Sequence, residues 1–208
     1  MATSTGSYLL TDVSFAAGSP HTFTNGHDAA TGDDFIQVAC FAAGTRIAGA
    51  TCEVAVEDLR TGDRVALAGG GDAEVVWIGH RRVDTARHPA PRAVWPVRIA
   101  AGAFGAGSPY RDLWLSPDHA VFIDDILIPV KYLVNGATIA QMPVDNVTYY
   151  HIELDRHDVL LAEGLPVESY LDTGDRADFI DGGGLVRLHP GFAVFAREAM
   201  GVAPLIVT

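Results

Sequence analysis

From Cys40 onward the hydrophobic positions fall in short runs that alternate with polar residues or are rich in β-branched side chains. The runs are TRIAGA, CEVAVEDL, DRVALA, AEVVWIGHRRV, WPVRIAA, LWLSPDHAVFI, ILIPVKYLV, ATIAQM, VTYYHIEL and DVLLAEGLPVESYL. Turn formers (TGD, AGGGD, SPD, DD and NG) separate them. Many short strands at this spacing predict an all-β fold of the sandwich or barrel-like kind. VEDLRTGD is the one segment that reads as a turn with a helical turn, and HPAPRAVWP carries too much proline for a central strand, so it is expected as loop or edge. PVRIAAGAFGAGSPYRD reads as a glycine-rich connection.

The flanks differ from this texture. Residues 1–39 are rich in Thr, Ser, Gly and Asp; LLTDVSF predicts a short strand and NGHDAATGDD a turn and loop. After Leu171, DTGDRADFIDGGG reads as a linker, and HPGFAVFAREAMGVAPLIVT has room for a short helix. The expected division is a flanking segment 1–39, a β domain 40–172 and a tail 173–208. No internal repeat with a period of about 20–50 residues is present.

Composition narrows the function classes. Of 208 residues 49% are hydrophobic and 19% charged, enough to build a core. With 26 acidic against 14 basic residues the net charge is −12, which disfavours a nucleic-acid backbone as partner and fits a soluble acidic protein. No run approaches the roughly 18 apolar residues of a membrane span. The N-terminus MATSTGSYLLTDVSFAAGSP lacks a basic region and a sustained apolar stretch, so no secretory signal peptide is expected. That leaves the bacterial cytoplasm or export by another route. The eight histidines have no H-x-x-x-H spacing and the two cysteines do not make a zinc site alone, so neither a metal nor another cofactor is expected.

Cys40 opens a strand-like stretch, CFAAGTRI, and reads either as a small buried hydrophobe or as a nucleophile. Three ordered blocks decide between these. The segment CFAAGTRIAGATCEVAVEDLRTGDRV, the mid-chain LSPDHAVF and the late YHIELDRHDVLLAEG resemble the Hint (hedgehog/intein) autoprocessing domain, most closely its bacterial hedgehog–intein type, over residues 40–172. In the first block Cys40, Thr45, Val56, Glu57, Leu59, Gly62, Asp63 and Val65 match. In the second, usually written Thr-x-x-His, Ser116 stands for Thr and His119 matches. In the third, Tyr150, Ile152, Glu153, Leu154, His157 and Gly164 match. Splicing members then close with His-Asn, where this chain has Glu168-Ser169.

The resemblance implies a horseshoe-shaped β fold of short strands and an N-to-S acyl shift, in which the Cys40 thiol attacks the Ala39 carbonyl. The chain's own segment 1–39 is then the substrate, and water or a small external nucleophile the acyl acceptor, in a single turnover. His119 is the expected acid for the Cys40 nitrogen, the alternative being a histidine satisfied inside a Ser-Pro-Asp-His turn. Ser116 either holds the scissile peptide or caps that turn. Thr45 either donates at the site or packs as a strand residue. Asp155 and His157, two apart, share a face if they lie on a strand. Asp155 would then tune the thiol, unless it belongs to an exposed charged corner, and His157 would act in the second step. Cys52, in TCEVAV, is expected in the core. Trp77 and His80 are expected as a core strand and its polar end. His88, His151 and His189 belong to no recognisable constellation. Two readings compete with self-cleavage: a Hint scaffold that binds or assembles without cutting, and a Cys/His hydrolase, which requires a substrate cleft.

Overall fold

The computed structural model describes residues 26–27, 34–35, 39–171 and 202–205. The strands in chain order are β1 (Gly26–His27), β2 (Asp34–Phe35), β3 (Phe41–Ala42), β4 (Arg46–Ala48), β5 (Glu53–Ala55), β6 (Arg64–Ala66), β7 (Asp72–Asp84) and β8 (Val97–Ile99), then β9 (Leu113–Leu115), β10 (Ala120–Ile123), β11 (Ile126–Pro129), β12 (Ile139–Gln141), β13 (Asn146–Leu154), β14 (Val159–Ala162) and β15 (Leu165–Glu168). The β1–β2 pair, antiparallel with Gly26 opposite Phe35, lies across the stretch expected as turn and loop. The expected strand LLTDVSF, the linker after Leu171 and most of the C-terminal stretch lie outside the described residues.

Two antiparallel sheets make the domain, as the alternating runs predict. One has the order β11-β10-β15-β14-β4-β5 and the other β12-β8-β9-β3-β13-β7-β6. The long strand β7 shows why the pattern gives a sheet. Ala73, Val75 and Trp77 are buried while Val76 between them is 39% exposed, the period of two that places alternate side chains on opposite faces. β7 pairs with β13 from Asn146↔Asp84 to Leu154↔Val75. Phe41, Ile47, Leu115, Val121, Ile152 and Leu160, contributed by both sheets, meet in one apolar core. Truncating any of these to Ala costs about 2–5 kcal/mol.

Helix is minimal. VEDLRTGD supplies a 3₁₀ turn at Val56–Asp58. HPAPRAVWP departs from the expected loop or edge by forming a four-residue helix, α1 (Pro91–Val94). Pro91 sits at its first turn, where a missing N–H costs nothing and its fixed φ favours the helix. Among the described residues no helix is long and apolar enough to cross a membrane.

The feature that positions the site is where the chain changes sheets. β3 to β4, β9 to β10 and β13 to β14 each pass from the seven-stranded to the six-stranded sheet. The run LWLSPDHAVFI, continuous in its hydrophobicity, is therefore broken at SPD into two strands of different sheets. The three crossings bring Thr45, the 116–119 turn and the 155–158 segment to the seam between the sheets.

Candidate active site

Cys40 lies immediately before β3, which is sandwiched between β9 and β13: Phe41 is opposite Leu115 on one side and Tyr150 on the other. Both Ala39 and Cys40 are buried, at 8% and 6% exposure, so the peptide joining them is withdrawn from water. Ser116 takes both main-chain polar groups of Cys40. Its N–H donates to the Cys40 carbonyl at 2.9 Å, and its Oγ accepts the Cys40 N–H at 2.9 Å. The nitrogen of the Ala39–Cys40 peptide is thus held by a side chain rather than by a ladder carbonyl.

The Ser-Pro-Asp-His sequence forms the turn it signals. The His119 N–H donates to the Ser116 carbonyl at 3.1 Å, closing four residues with Pro117 at the second position. The turn carries His119, 1% exposed, back over β3, where its ring meets that of Phe41 edge-on with centroids 4.3 Å apart. His119 Nε2 lies 3.1 Å from the Glu168 carbonyl oxygen. A carbonyl only accepts, so Nε2 carries a hydrogen and the lone pair of the neutral ring is on Nδ1.

His151 carries no motif in the sequence, and the fold alone gives it a place in the site. β13 is registered on β3 with Tyr149 opposite Ala42 and Tyr150 opposite Phe41, so the next residue arrives beside Cys40. Its Nε2 stands 2.9 Å from Cys40 Sγ, and it is 0% exposed. The Tyr170 ring packs against it edge-on at 5.0 Å. Burial, and then the charge of nearby His119, hold its pKa well below the usual histidine value. A neutral His151 with the lone pair on Nε2 is set to take the proton of the thiol. On the same side of β13, burial and then Cys40 raise the Tyr149 phenol, which stays protonated and donates to the Val94 carbonyl at 2.8 Å.

The other expected residues are placed as follows. Thr45 is buried, and its hydroxyl donates to the Ala42 carbonyl at 2.8 Å, closing the turn after β3. Gly44 in that turn has φ +87°, a conformation that suits glycine, and its N–H is accepted by Glu57 of the same block at 2.8 Å. Thr45 therefore shapes the seam, with its hydroxyl directed at the turn. His157 is buried, but it faces Glu168, with Nε2 3.5 Å from Glu168 Oε2. Asp155 is exposed. The two do not share a strand face, because β13 shifts register at Glu153/Leu154 and ends there, and a bend follows.

Cys52 departs from the expected core position: it is exposed, in the turn before β5, and no disulfide joins it to buried Cys40. Trp77 is buried against Tyr170, and His80 stacks on Tyr150 at 5.7 Å, as a core strand and its polar end. His88 Nδ1 accepts the Ala90 N–H, and His189 lies outside the described residues.

No curated protein sequence matches the chain. Among solved structures, a bacterial intein-like domain from Clostridium thermocellum has 18% identity and a TM-score of 0.48, covering 62% of this chain and 98% of that one. The MchDnaB-1 intein has 15% identity and a TM-score of 0.45 over 61% and 98%. A DnaB intein from Synechocystis sp. PCC 6803 has 10% identity and a TM-score of 0.43 over 63% and 98%. A Cys–His pair buried as Cys40 and His151 are is consistent with single-turnover autoprocessing. The family model for the Hint domain matches residues 39–174, and the chain belongs to that family.

Proposed function

We propose that this Hint domain cuts its own chain between Ala39 and Cys40. The observation that carries the reading is the 2.9 Å contact of Cys40 Sγ with His151 Nε2, on a residue whose own nitrogen is held by Ser116 Oγ. His151 takes the thiol proton, and the sulfur attacks the Ala39 carbonyl carbon through a five-membered ring. The tetrahedral intermediate collapses with loss of the C–N bond. His119, acting in its doubly protonated form, gives the Nδ1 proton to the departing nitrogen and keeps its Nε2–H on the Glu168 carbonyl. Protons balance across the two histidines: His151 gains the proton that the thiol loses, and His119 gives the proton that the new amine gains. The product is a thioester between Ala39 and the Cys40 sulfur with a new α-amine on Cys40. Water or a small thiol then releases segment 1–39.

The experiment is intact-mass measurement of the purified protein with and without dithiothreitol, with hydroxylamine to trap the thioester. A scaffold that binds without cutting is the alternative, and Glu168-Ser169 in place of His-Asn is the sequence feature that favours it. It leaves the mass unchanged under thiol. A hydrolase acting on other molecules is disfavoured by the burial of Cys40 at 6% exposure.

A further inference from the structure

Glu168, at the end of β15 and 0% exposed, grips His119 from two sides. Its carbonyl accepts the His119 Nε2–H at 3.1 Å. Its carboxylate Oε1 accepts the N–H of Ala120, the residue that follows His119, at 2.9 Å. The other oxygen, Oε2, lies 3.5 Å from His157 Nε2. The tautomer of His157 is set from outside the domain: its Nδ1 accepts the N–H of Val202 at 3.0 Å. The lone pair of neutral His157 is therefore on Nδ1 and its hydrogen is on Nε2, the atom that lies 3.5 Å from the Glu168 carboxylate. Val202 is held in place by its own segment, which docks on the free side of β11. The Leu127 N–H donates to the Pro204 carbonyl at 2.8 Å, and Leu127 bridges Leu205 in parallel.

We propose that Glu168 is a positioning residue for His119, and that segment 202–205 is a strap that completes the site by fixing the His157 ring against Glu168. The array runs from the Val202 amide through His157 and Glu168 to the ring serving the Cys40 nitrogen. It occupies the place where splicing relatives carry His-Asn, and it turns that end of the domain from a reacting group into a support. The inference rests on the proposed role of His119 in cleavage.

The test has two readouts. In a Cys40→Ala protein, which cannot cut, long-range ¹H–¹⁵N spectra of the histidine rings should show hydrogen on Nε2 of both His119 and His157. Val202→Pro, which removes the donor to Nδ1, should give His157 mixed tautomers. In the cutting protein, Val202→Pro and Glu168→Gln should each slow thiol-dependent cleavage by about tenfold or more, the scale on which a misplaced catalytic group loses rate. Hydrogen on Nδ1 of His157 in the Cys40→Ala protein overturns the array. Wild-type cleavage rates in both variants overturn the positioning role. If the parent protein never cuts, the proposed function fails, while the ring spectra still decide whether the array exists. Should Glu168→Gln fail to fold, Val202→Pro, at an exposed residue, carries the test alone.

Discussion

Cys40 Sγ and His151 Nε2 meet at 2.9 Å although 111 residues separate them, and strand register alone makes the contact. Tyr150 opposite Phe41 places the following residue of β13 beside the residue preceding β3, since antiparallel neighbours run in opposite senses. The thiol and this imidazole are therefore cross-strand neighbours inside a sheet, held by backbone hydrogen bonds on both sides of β3.

This relationship predicts a hierarchy of variants. Cys40→Ala should abolish cleavage at Ala39–Cys40, because no other atom is placed to form the five-membered ring. His151→Ala and His119→Ala should each slow cleavage by about 10² or more, the usual worth of a general acid or base. Cys52→Ser, at an exposed position, should leave the rate unchanged. Fragment appearance on denaturing gels under thiol is the measurement. Scission that persists in Cys40→Ala would identify a contaminating protease.

Ser116 predicts a separable effect on stability. Its Oγ is the acceptor of a buried N–H, so Ser116→Ala removes that acceptor and should cost about 1–3 kcal/mol. Ser116→Thr retains the hydroxyl and should stay close to the parent in both stability and rate. Urea unfolding of the Cys40→Ala protein with each substitution checks the first expectation. Equal midpoints for Ser116→Ala and the parent would show that the nitrogen has another acceptor.

Local spacing carries local geometry, and that is why some of this site could be read from the chain and some could not. Ser116 and His119 are legible because Ser-Pro-Asp-His is a turn whose ends must be close. The position of Cys40 is legible because it precedes a strand followed by the glycine turn at 42–45. His151 carries no such mark: it sits in VTYYHIEL as the polar member of an alternating strand, and only the pairing of β13 with β3 gives it a partner. Asp155 and His157 show the converse. Their spacing of two means a shared face only within a strand, and the register shift at Glu153/Leu154 ends the strand before them. Cys52 follows the alternation of TCEVAV on paper, but the chain there is still turning into β5, so it faces solvent.

The burial of neutral His151 predicts how stability depends on pH. Its folded pKa lies well below the usual histidine value of about 6.5. Between those two values the unfolded chain binds a proton that the folded one refuses, so stability must fall as pH falls through that window. The contribution is fully present above about pH 6.5 and is lost at about 1.4 kcal/mol per pH unit below it. Denaturant unfolding of the Cys40→Ala protein from pH 7.5 to 5 should show this slope. The same series with His151→Gln should be shallower. Parallel slopes in the two series would mean that His151 titrates normally in the folded protein.

The last prediction concerns what the reaction yields. A thiol can take over only the acyl group of the residue just before it, and for Cys40 that is Ala39, so the break must separate residues 1–39 from residues 40–208. Release of a domain at its other end requires a side-chain amide nitrogen to attack its own carbonyl, and Glu168-Ser169 offers a carboxylate and a hydroxyl there. No imide can form from these, and the Glu168 carboxylate accepts the Ala120 N–H. The thioester has water or an added thiol as its outlet, and a thiol attacks a thioester faster than water does. Incubation with dithiothreitol should therefore raise the yield of a fragment that begins with Cys40 and keeps residues 40–208, with no joined product. Mass spectrometry of the time course decides the matter. A product lacking residues 40–169 but retaining both flanks would refute cleavage without splicing. A mass that stays intact through prolonged thiol and hydroxylamine treatment would show a Hint scaffold that holds the buried Cys40–His151 pair without using it.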